Sequence, residues 1–219
     1  SSADKNFSYI PDCSDLDIPD NADYVYICEN ETINGTTYYQ LPDTKGKILV
    51  SDQSSMFLSR PCDVSKYGLI WAGVQKNVGP AGMAIVIIRE DLAGHELPYT
   101  PVMMSYKAMI DKDSMYNTPP CWCIYMLGLT LDWLDEQGGI EGMEQIKHGK
   151  AQMLYDCIDS SKLFTCAAEK PFRSDMNVTF RSASEELDAK FVKEAAEAGF
   201  VNLKGHRKVG GMRASIYNA

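Results

Sequence analysis

Residues 69–82, with the sequence LIWAGVQKNVGPAG, decide the fold class of this chain. Their first part, Leu69–Gly73, is almost continuously apolar, which predicts a strand with helices covering both of its faces. Their second part is a glycine-rich turn that carries Lys76. A lysine at a strand end is most often a solvated surface charge. The apolar runs on either side of Lys76 favour another role, because desolvation favours the neutral amine, which can form a Schiff base with an aldehyde.

Three more apolar runs predict strands of the same sheet. They lie at residues 24–28, 47–51 and 83–88, and the last is apolar on both faces. Runs of this kind suit strands that are buried between two layers of helices. The pattern therefore predicts an α/β fold.

The second half of the chain is predicted to be mainly helical. Pro119 and Pro120 can begin a helix that ends at Gly138, and its apolar run at 121–129 predicts that this helix is buried. A third helix is predicted after a capping-box pattern at residues 182–185, with Gly199 at its end. Between them lies a helix whose apolar stripe comprises Met143, Ile146, Leu154, Cys157 and Ile158.

The C-terminal third of the chain has the pattern of a smaller α+β unit. Strands are predicted at residues 176–180 and 212–217, on either side of the third helix. The best position for a boundary lies between residues 138 and 150. We therefore expect a larger domain over residues 1–140 and a smaller one over residues 141–219.

The composition excludes several classes of protein. The 219 residues include 30 acids and 21 bases, giving a formal net charge of −9, which argues against bulk binding of nucleic acid. No run approaches the roughly 20 apolar residues of a membrane span. No secretory signal opens the chain, and its first residue is Ser1. We expect a cytoplasmic protein that is processed, tagged or cut from a longer chain.

Cysteines and glycosylation sequons carry little functional signal here. The seven cysteines are irregularly spaced, and the pair Cys121 and Cys123 is not a Cys-x-x-Cys motif. Reduced thiols in a cytosolic protein are therefore expected. Asn30, Asn34 and Asn177 each begin a glycosylation sequon, and we attribute all three to chance.

Two further features are candidates for binding. Asp52 ends the second apolar run, where it is either a turn or N-cap aspartate or a buried carboxylate that needs a cationic partner, such as a protonated pyridine nitrogen. Residues 199–219 contain no acid, but they contain His206 and four Lys or Arg residues interleaved with glycines. This basic segment is either a solvated face or an anion site.

Four separated motifs resemble the phosphoserine aminotransferase family, which belongs to the class-V aminotransferases and fold type I of the pyridoxal phosphate (PLP) enzymes. They are AGVQKNVGPAG at residues 72–82, DQSS and LSRP at 52–55 and 58–61, YNTPP at 116–120, and KGHR and GGMRASIYN at 204–207 and 210–218. The related desulfurases usually carry His where this chain has Gln75. The resemblance implies a mixed, mostly parallel sheet flanked by helices, with a smaller α+β C-terminal domain.

The resemblance also implies a role for individual residues. Lys76 would hold PLP and move the substrate proton, and Asp52 would pair with the pyridinium nitrogen. Arg213 would bind the substrate α-carboxylate. The remaining implied contacts are Thr32 with the ring hydroxyl, Gln75 with the cofactor phosphate, Asn117 and Thr118 with that phosphate from a neighbouring subunit, and His206 and Arg207 with the substrate phosphate.

The implied reaction transfers the amino group of glutamate, through PLP, to 3-phosphohydroxypyruvate, giving 2-oxoglutarate and O-phosphoserine for serine biosynthesis. The same enzyme would also serve pyridoxine biosynthesis, in which a related phosphorylated threonine takes the place of O-phosphoserine. The active site would be shared between the subunits of a homodimer.

Compared with that family, the chain lacks an N-terminal portion and the last C-terminal helix. The missing portion carries the aromatic residue that stacks on the cofactor, and Trp122 and Trp133 instead have the pattern of core residues. We therefore expect the chain alone to be a poor aminotransferase. The alternatives are a non-catalytic fragment of the PLP fold and another class-V aminotransferase, such as a serine–glyoxylate type.

Overall fold

A computed structural model of the chain describes residues 1–218. Its strands form a four-stranded sheet, a three-stranded sheet and a two-stranded hairpin. The strands are β1 Tyr24–Cys28, β2 Asn30–Glu31, β3 Thr36–Thr37, β4 Ile48–Asp52, β5 Leu69–Gly73, β6 Ala84–Ile88, β7 Thr165–Cys166, β8 Asn177–Arg181 and β9 Met212–Ser215. The α-helices are α1 Tyr106–Ile110, α2 Cys121–Glu136, α3 Gly139–Ser160 and α4 Glu185–Glu197.

The four-stranded sheet confirms the predicted mixed, mostly parallel α/β fold. Its strand order is β1-β4-β5-β6, where β1, β4 and β5 are parallel and β6 is antiparallel to β5. Cys28 pairs with Asp52, and Asp52 pairs with Trp71. Because parallel strands end at the same edge of a sheet, the residues that follow β1, β4 and β5 lie together.

A core of apolar side chains packs against this sheet and the turn that follows β5. Its residues come from the three parallel strands β1, β4 and β5 and from the segments that follow β4 and β5. They are Ile27, Leu49, Phe57, Tyr67, Ile70, Ala72, Val74 and Val78. Three of these, Ala72, Val74 and Val78, flank Lys76 and are almost fully buried. The segment that carries Lys76 is therefore anchored on both sides.

Two predictions of complete burial are wrong. In β6, Val86 and Ile87 are each more than a third exposed, because β6 is the edge strand of the described sheet, and its Ile85 is the residue that packs against the core. In α2, only Leu134 is buried and Trp122 is 63% exposed, so Trp122 is not a core residue. A helix that is apolar all round needs more contacts than the described part of the chain provides.

The three-stranded sheet has the order β7-β8-β9 and is antiparallel throughout. Helix α3 packs on it, and its buried residues are Met143, Lys147, Ala151, Tyr155 and Ile158. Within the predicted stripe, Met143 and Ile158 are confirmed, whereas Ile146 and Cys157 are exposed. The buried positions recur mainly every four residues. Lys147 is therefore buried, where the prediction had expected Ile146 to be buried.

The ends of the helices largely follow the sequence pattern. Helix α2 ends at Glu136, two residues before Gly138, which has a φ of 91°. Helix α4 ends before Gly199, as predicted, but its N-cap is Ser184, whose side chain accepts a hydrogen bond from Leu187 N. The predicted capping box between Ser182 and Glu185 is therefore displaced. The domain boundary at residues 140/141 would fall in the first turn of α3, and it stays a prediction.

The hairpin β2–β3 joins the two larger sheets. It follows β1 directly, and Thr36 forms a bridge with Arg173, in the segment that precedes β8. Ser174 N donates to Gly35 O at 2.9 Å. Gly35 has a φ of +75°, and a Cβ there would lie 2.6 Å from Asn177 O, so this close approach requires glycine.

Candidate active site

Lys76 lies in the turn that follows β5, at the carboxyl edge of the parallel strands. Val78 N and Gly79 N both donate to Val74 O, which closes the turn around the lysine. The half-buried Lys76 Nζ donates to Thr32 Oγ1 at 3.2 Å. Within residues 1–218, no carboxylate forms an ion pair with this amine, so its polar partner is a neutral hydroxyl.

Thr32 connects Lys76 to the second sheet. Arg213, on β9, donates from Nη1 to Thr32 O at 3.3 Å. One residue therefore contacts the lysine through its side chain and the arginine through its backbone. The structure brings together three residues that are 44 and 181 positions apart in sequence.

Asp52 lies at the same edge, at the end of β4. Its Oδ1 accepts a hydrogen bond from Ser54 N at 2.8 Å, a contact typical of an aspartate in a turn. Ser54 Oγ in turn accepts from Gly73 N at 3.0 Å. These contacts hold the end of β4 against the end of β5, directly before the turn that carries Lys76.

Cys28 lies close enough to Asp52 and Lys76 for both charges to act on its thiol. Burial raises the pKa of Cys28 to about 11, and the negative charge of Asp52 acts in the same direction. The positive charge of Lys76 acts in the opposite direction. The thiol therefore stays protonated near neutral pH. Cys28 thus contributes an uncharged side chain to this edge of the sheet and does not act as a nucleophile there.

The basic segment forms a loop that is closed at its base. Lys204 and Met212 form a bridge, and Gly205 N donates to Gly211 O at 2.8 Å. A Cβ on Gly205 would lie 2.0 Å from Gly210 O, so glycine is required where the two arms meet. The loop presents His206, which lines a cavity of about 460 Å³ together with Arg213, Arg181 and Lys208. This concentration of positive charge suits an anionic ligand.

For four of the predicted site residues, the structure of residues 1–218 shows no side-chain contact with Lys76 or the cavity. Gln75 is exposed, and a Cβ on Gly73 would lie 2.7 Å from its Oε1. Arg207 is exposed and does not line the cavity beside His206. Asn117 and Thr118 lie in an exposed segment before α2, where Asn117 Nδ2 donates only to Thr118 O. The roles of these four residues stay predictions.

The residues at the sheet edge fit PLP by their chemistry. An aldehyde needs a primary amine, and Lys76 supplies one without a competing ion pair in the described structure. A pyridinium nitrogen needs a carboxylate, and Asp52 ends the neighbouring strand. Hydroxyls on Thr32 and Ser54 add hydrogen-bonding capacity at the same edge.

Sequence reasoning did not find every residue at this edge. Cys28, Ser54 and Asn30 were not selected, although Cys28 ends a strand that is parallel to β4. That pairing was the signal that could have found it, since residues at the ends of adjacent parallel strands are neighbours. No local pattern distinguished Asn30, whose contacts come from residues far away in sequence.

The structure shows free cysteines and two buried sequons. All seven cysteines are free thiols. Asn30 and Asn177 are almost fully buried, so the folded chain cannot present either to a glycosylating enzyme. Among residues 1–218, no group of three His, Cys, Asp or Glu side chains could hold a metal ion, and no helix is long and apolar enough to span a membrane.

Comparison with known proteins identifies the family. The family model for class-V aminotransferases matches residues 3–219. The chain belongs to this family of aminotransferases. The resemblance drawn from the four motifs is therefore confirmed at the level of the family.

Comparison with individual relatives shows which aminotransferases the chain is similar to. The chain is 51% identical to the phosphoserine aminotransferase of Desulfosudis oleivorans, over 100% of the chain and 60% of that protein. It superposes on the phosphoserine aminotransferase of Bacillus circulans subsp. alkalophilus with a TM-score of 0.97 at 46% identity, covering 100% of the chain and 61% of that structure. For the PLP-bound phosphoserine aminotransferase of Trichomonas vaginalis, the TM-score is 0.88 at 40% identity, covering 92% and 58%. The chain thus spans about 60% of the length of the curated relatives it matches.

Proposed function

We propose that this chain carries the cofactor lysine and part of the substrate site of a phosphoserine aminotransferase. The observation that carries the proposal is the contact of Thr32 with both Lys76 Nζ and Arg213. It places an amine suited to an aldehyde cofactor next to a guanidinium suited to a substrate carboxylate. Similarity to phosphoserine aminotransferases along the whole chain supports the same conclusion.

PLP is the cofactor that these residues suit. Lys76 would hold it covalently, Asp52 would pair with its ring nitrogen, and Thr32 would lie on the side of the ring hydroxyl. Gln75 would bind its phosphate, joined by Asn117 and Thr118 of a second subunit. When bound, PLP supplies an electron sink for negative charge at the substrate carbon that loses its proton.

The chain's own side chains perform the remaining tasks. The neutral form of Lys76 can accept a proton at Nζ and return it, which makes it the general base and acid of the reaction. Arg213 would hold the substrate α-carboxylate with two parallel hydrogen bonds. His206 and Arg207 would bind either the second carboxylate of glutamate or the phosphate of the acceptor. The reaction exchanges the amino group of glutamate for the keto oxygen of 3-phosphohydroxypyruvate, which gives 2-oxoglutarate and O-phosphoserine.

The proposal extends to assembly and location. A homodimer would bring Asn117 and Thr118 of one subunit to the cofactor of the other, since both residues are exposed here. The exposed apolar residues of α2 suit burial in a larger assembly. Seven free thiols suit a reducing compartment such as the cytoplasm. The pathway would be serine biosynthesis, with pyridoxine biosynthesis as a second use.

Two other functions remain to be separated from this one. A fragment that keeps the fold without turnover would hold PLP but would not exchange amino groups. Another class-V aminotransferase would use an acceptor without phosphate. The basic loop that presents His206 favours the phosphorylated acceptor, because its concentrated positive charge suits a dianion.

An absorbance spectrum of the purified chain with PLP, before and after glutamate, tests the proposal. We expect the visible band of lysine-bound PLP, followed by conversion to the spectrum of the aminated cofactor when glutamate is added. A band without conversion would support the non-catalytic fragment. No band would show that this chain alone does not hold the cofactor, and the proposal for it would be wrong.

Replacement of Arg207 tests the choice of substrate. Arg207→Ala should weaken use of the phosphorylated acceptor more than use of an unphosphorylated one, by about tenfold, because a charge-assisted hydrogen bond to the phosphate is lost. Steady-state kinetics with 3-phosphohydroxypyruvate and with hydroxypyruvate measure this difference. An equal loss for both acceptors would contradict the assignment.

A further inference from the structure

Asn30 is the centre of a buried network of hydrogen bonds between the two sheets. Its side chain is 1% exposed. Its Nδ2 donates to Ser55 Oγ at 2.7 Å and to Asn177 Oδ1 at 2.8 Å, and its Oδ1 accepts from Ser174 Oγ. Ser55 Oγ also donates to Asn30 O at 2.9 Å. All polar atoms of this amide are therefore satisfied, and its partners lie in two segments that are far apart in sequence, the turn after β4 and the region around the start of β8.

The partners of Asn30 belong to the elements that form the candidate site. Ser55 follows Asp52 in the turn after β4, and Asn177 begins β8. Asn177 Nδ2 donates to Ser215 Oγ at 3.1 Å, on the strand that carries Arg213. One amide thus connects the end of the parallel sheet with β8 and, through Asn177, with β9.

Thr32 follows Asn30 by two residues, at the start of the loop between β2 and β3. The far side of that loop is held by Thr179 Oγ1, which donates to Asn34 O at 2.8 Å. On the near side, the side chain of Asn30 links the start of the loop to both sheets. The hydroxyl of Thr32 reaches Lys76 and its carbonyl reaches Arg213 only while the loop keeps this position.

We propose that Asn30 is a positioning residue that holds Thr32 against Lys76 and Arg213. Asn30 is not one of the residues expected to touch cofactor or substrate, and it acts through Thr32. Loss of its amide would leave Asn177 Oδ1 without its donor and would remove one hydrogen bond each from Ser55 Oγ and Ser174 Oγ. Buried polar groups that lose a partner draw in water or shift. The inference rests on the proposed role of Lys76, but it can be tested without cofactor.

Trace labelling of the lysines with acetic anhydride in the cofactor-free chain is the test, read out by mass spectrometry of peptides. The rate at Lys76 is divided by the rate at the exposed Lys66. Thr32→Val removes the hydroxyl and should raise the relative rate about fivefold, the factor expected for one net hydrogen bond. Asn30→Ala should give the same increase although Thr32 is intact, and the double variant should give no further increase.

Tyr155→Phe is the matched control. It removes a buried hydrogen bond of 2.7 Å to Ser174 O, in the same region, without touching Asn30. It should lower stability and leave the labelling of Lys76 unchanged. If Asn30→Ala behaves like Tyr155→Phe, or if the effects of Asn30→Ala and Thr32→Val simply multiply, the positioning role is overturned.

A milder variant serves if Asn30→Ala does not fold, as judged by near-ultraviolet circular dichroism. Ser55→Ala removes two of the hydrogen bonds that position Asn30 and keeps the Asn30 amide itself. It should also raise the relative labelling of Lys76, and an unchanged rate would overturn the proposal. Failure of PLP to bind would contradict the proposed function but would leave these labelling results independent of it.

Discussion

Lys76 and Lys147 lie in two regions that differ in how far they bury the lysine and in the partner that its amine contacts. Lys147, within α3, is 3% exposed, and its Nζ lies 3.7 Å from Asp175 Oδ2. Burial lowers its pKa, and the charge of Asp175 opposes this shift. Lys76 is half-buried beyond the end of β5, and its partner is the neutral hydroxyl of Thr32.

Lys147 has little space beside its amine for a cofactor. The cavity next to Lys147 measures about 10 Å³, room for about one water molecule. Lys76 instead lies at the sheet edge where Thr32 connects it to Arg213, which lines the cavity of about 460 Å³. A lowered pKa is a common sign of a functional lysine, and here it would select Lys147 instead of the proposed cofactor lysine, Lys76. Access to the amine is the better guide.

The largest expected effect is on cofactor binding. Lys76→Ala should abolish the visible band of lysine-bound PLP, because the amine that holds the aldehyde is gone. Lys147→Met should keep the band, since that lysine lies in a cavity too small for the cofactor. Absorbance titration of both variants with PLP makes the comparison. Loss of the band in Lys147→Met alone would reverse the two assignments.

The next effect is on stability in the region of Lys147. Asp175→Ala leaves the ammonium of Lys147 buried without its carboxylate, which should lower the free energy of unfolding by about 3 kcal/mol. Urea denaturation followed by fluorescence measures this loss. The labelling rate of Lys76 should stay unchanged in the same variant, and a change there would show that the two regions are coupled.

A smaller effect is expected in how the free energy of unfolding depends on pH, and the pKa shift of Lys147 predicts its direction. Because burial lowers the pKa of Lys147 below the 10.5 of an exposed lysine, the unfolded chain binds more protons between those two values. The stabilising contribution of the neutral amine is complete above pH 10.5 and is lost as the pH falls through the folded pKa. Lys147→Met should therefore flatten the rise in stability as the pH approaches 10.5 from below.

Parallel slopes for the wild-type chain and Lys147→Met in that pH range would contradict the shift. Lys66→Met is the control, because Lys66 is exposed. Its removal should leave the slope unchanged.

The smallest effect is expected at His148. This exposed side chain contacts Asp175 Oδ2 through Nδ1 at 3.1 Å. His148→Ala should change the free energy of unfolding by less than about 0.5 kcal/mol, because exposed pairs contribute little. Urea denaturation again measures it. A loss as large as that of Asp175→Ala would mean that Asp175 is held in place by His148 and not by Lys147.

The sequence predicted the parallel sheet well because its pattern is local. Tyr24–Cys28 and Leu69–Gly73 are strands with the predicted bounds, and Lys76 follows the second one as expected. The motif-based resemblance supplied Thr32 and Arg213, which the structure joins by hydrogen bonds.

The rest depends on contacts that a local pattern does not encode. The apolar run of α2 predicts burial, but burial requires neighbouring elements, and within residues 1–218 Trp122 has too few. Helix α3 buries Lys147 where Ile146 was expected, since the carboxylate of Asp175 lies 28 positions further along the chain. Asn30 was overlooked for the same reason, because its partner Asn177 is 147 positions away.

The most direct test of the central claim is to map the lysine that holds the cofactor. The chain is incubated with PLP, reduced with borohydride and digested, and the peptide that carries the added mass is identified by mass spectrometry. We predict that the label is on Lys76 and that Lys147 is unlabelled. A label on Lys147, or one spread over the exposed lysines with Lys76 unmodified, would contradict the assignment of the sheet edge as the cofactor site.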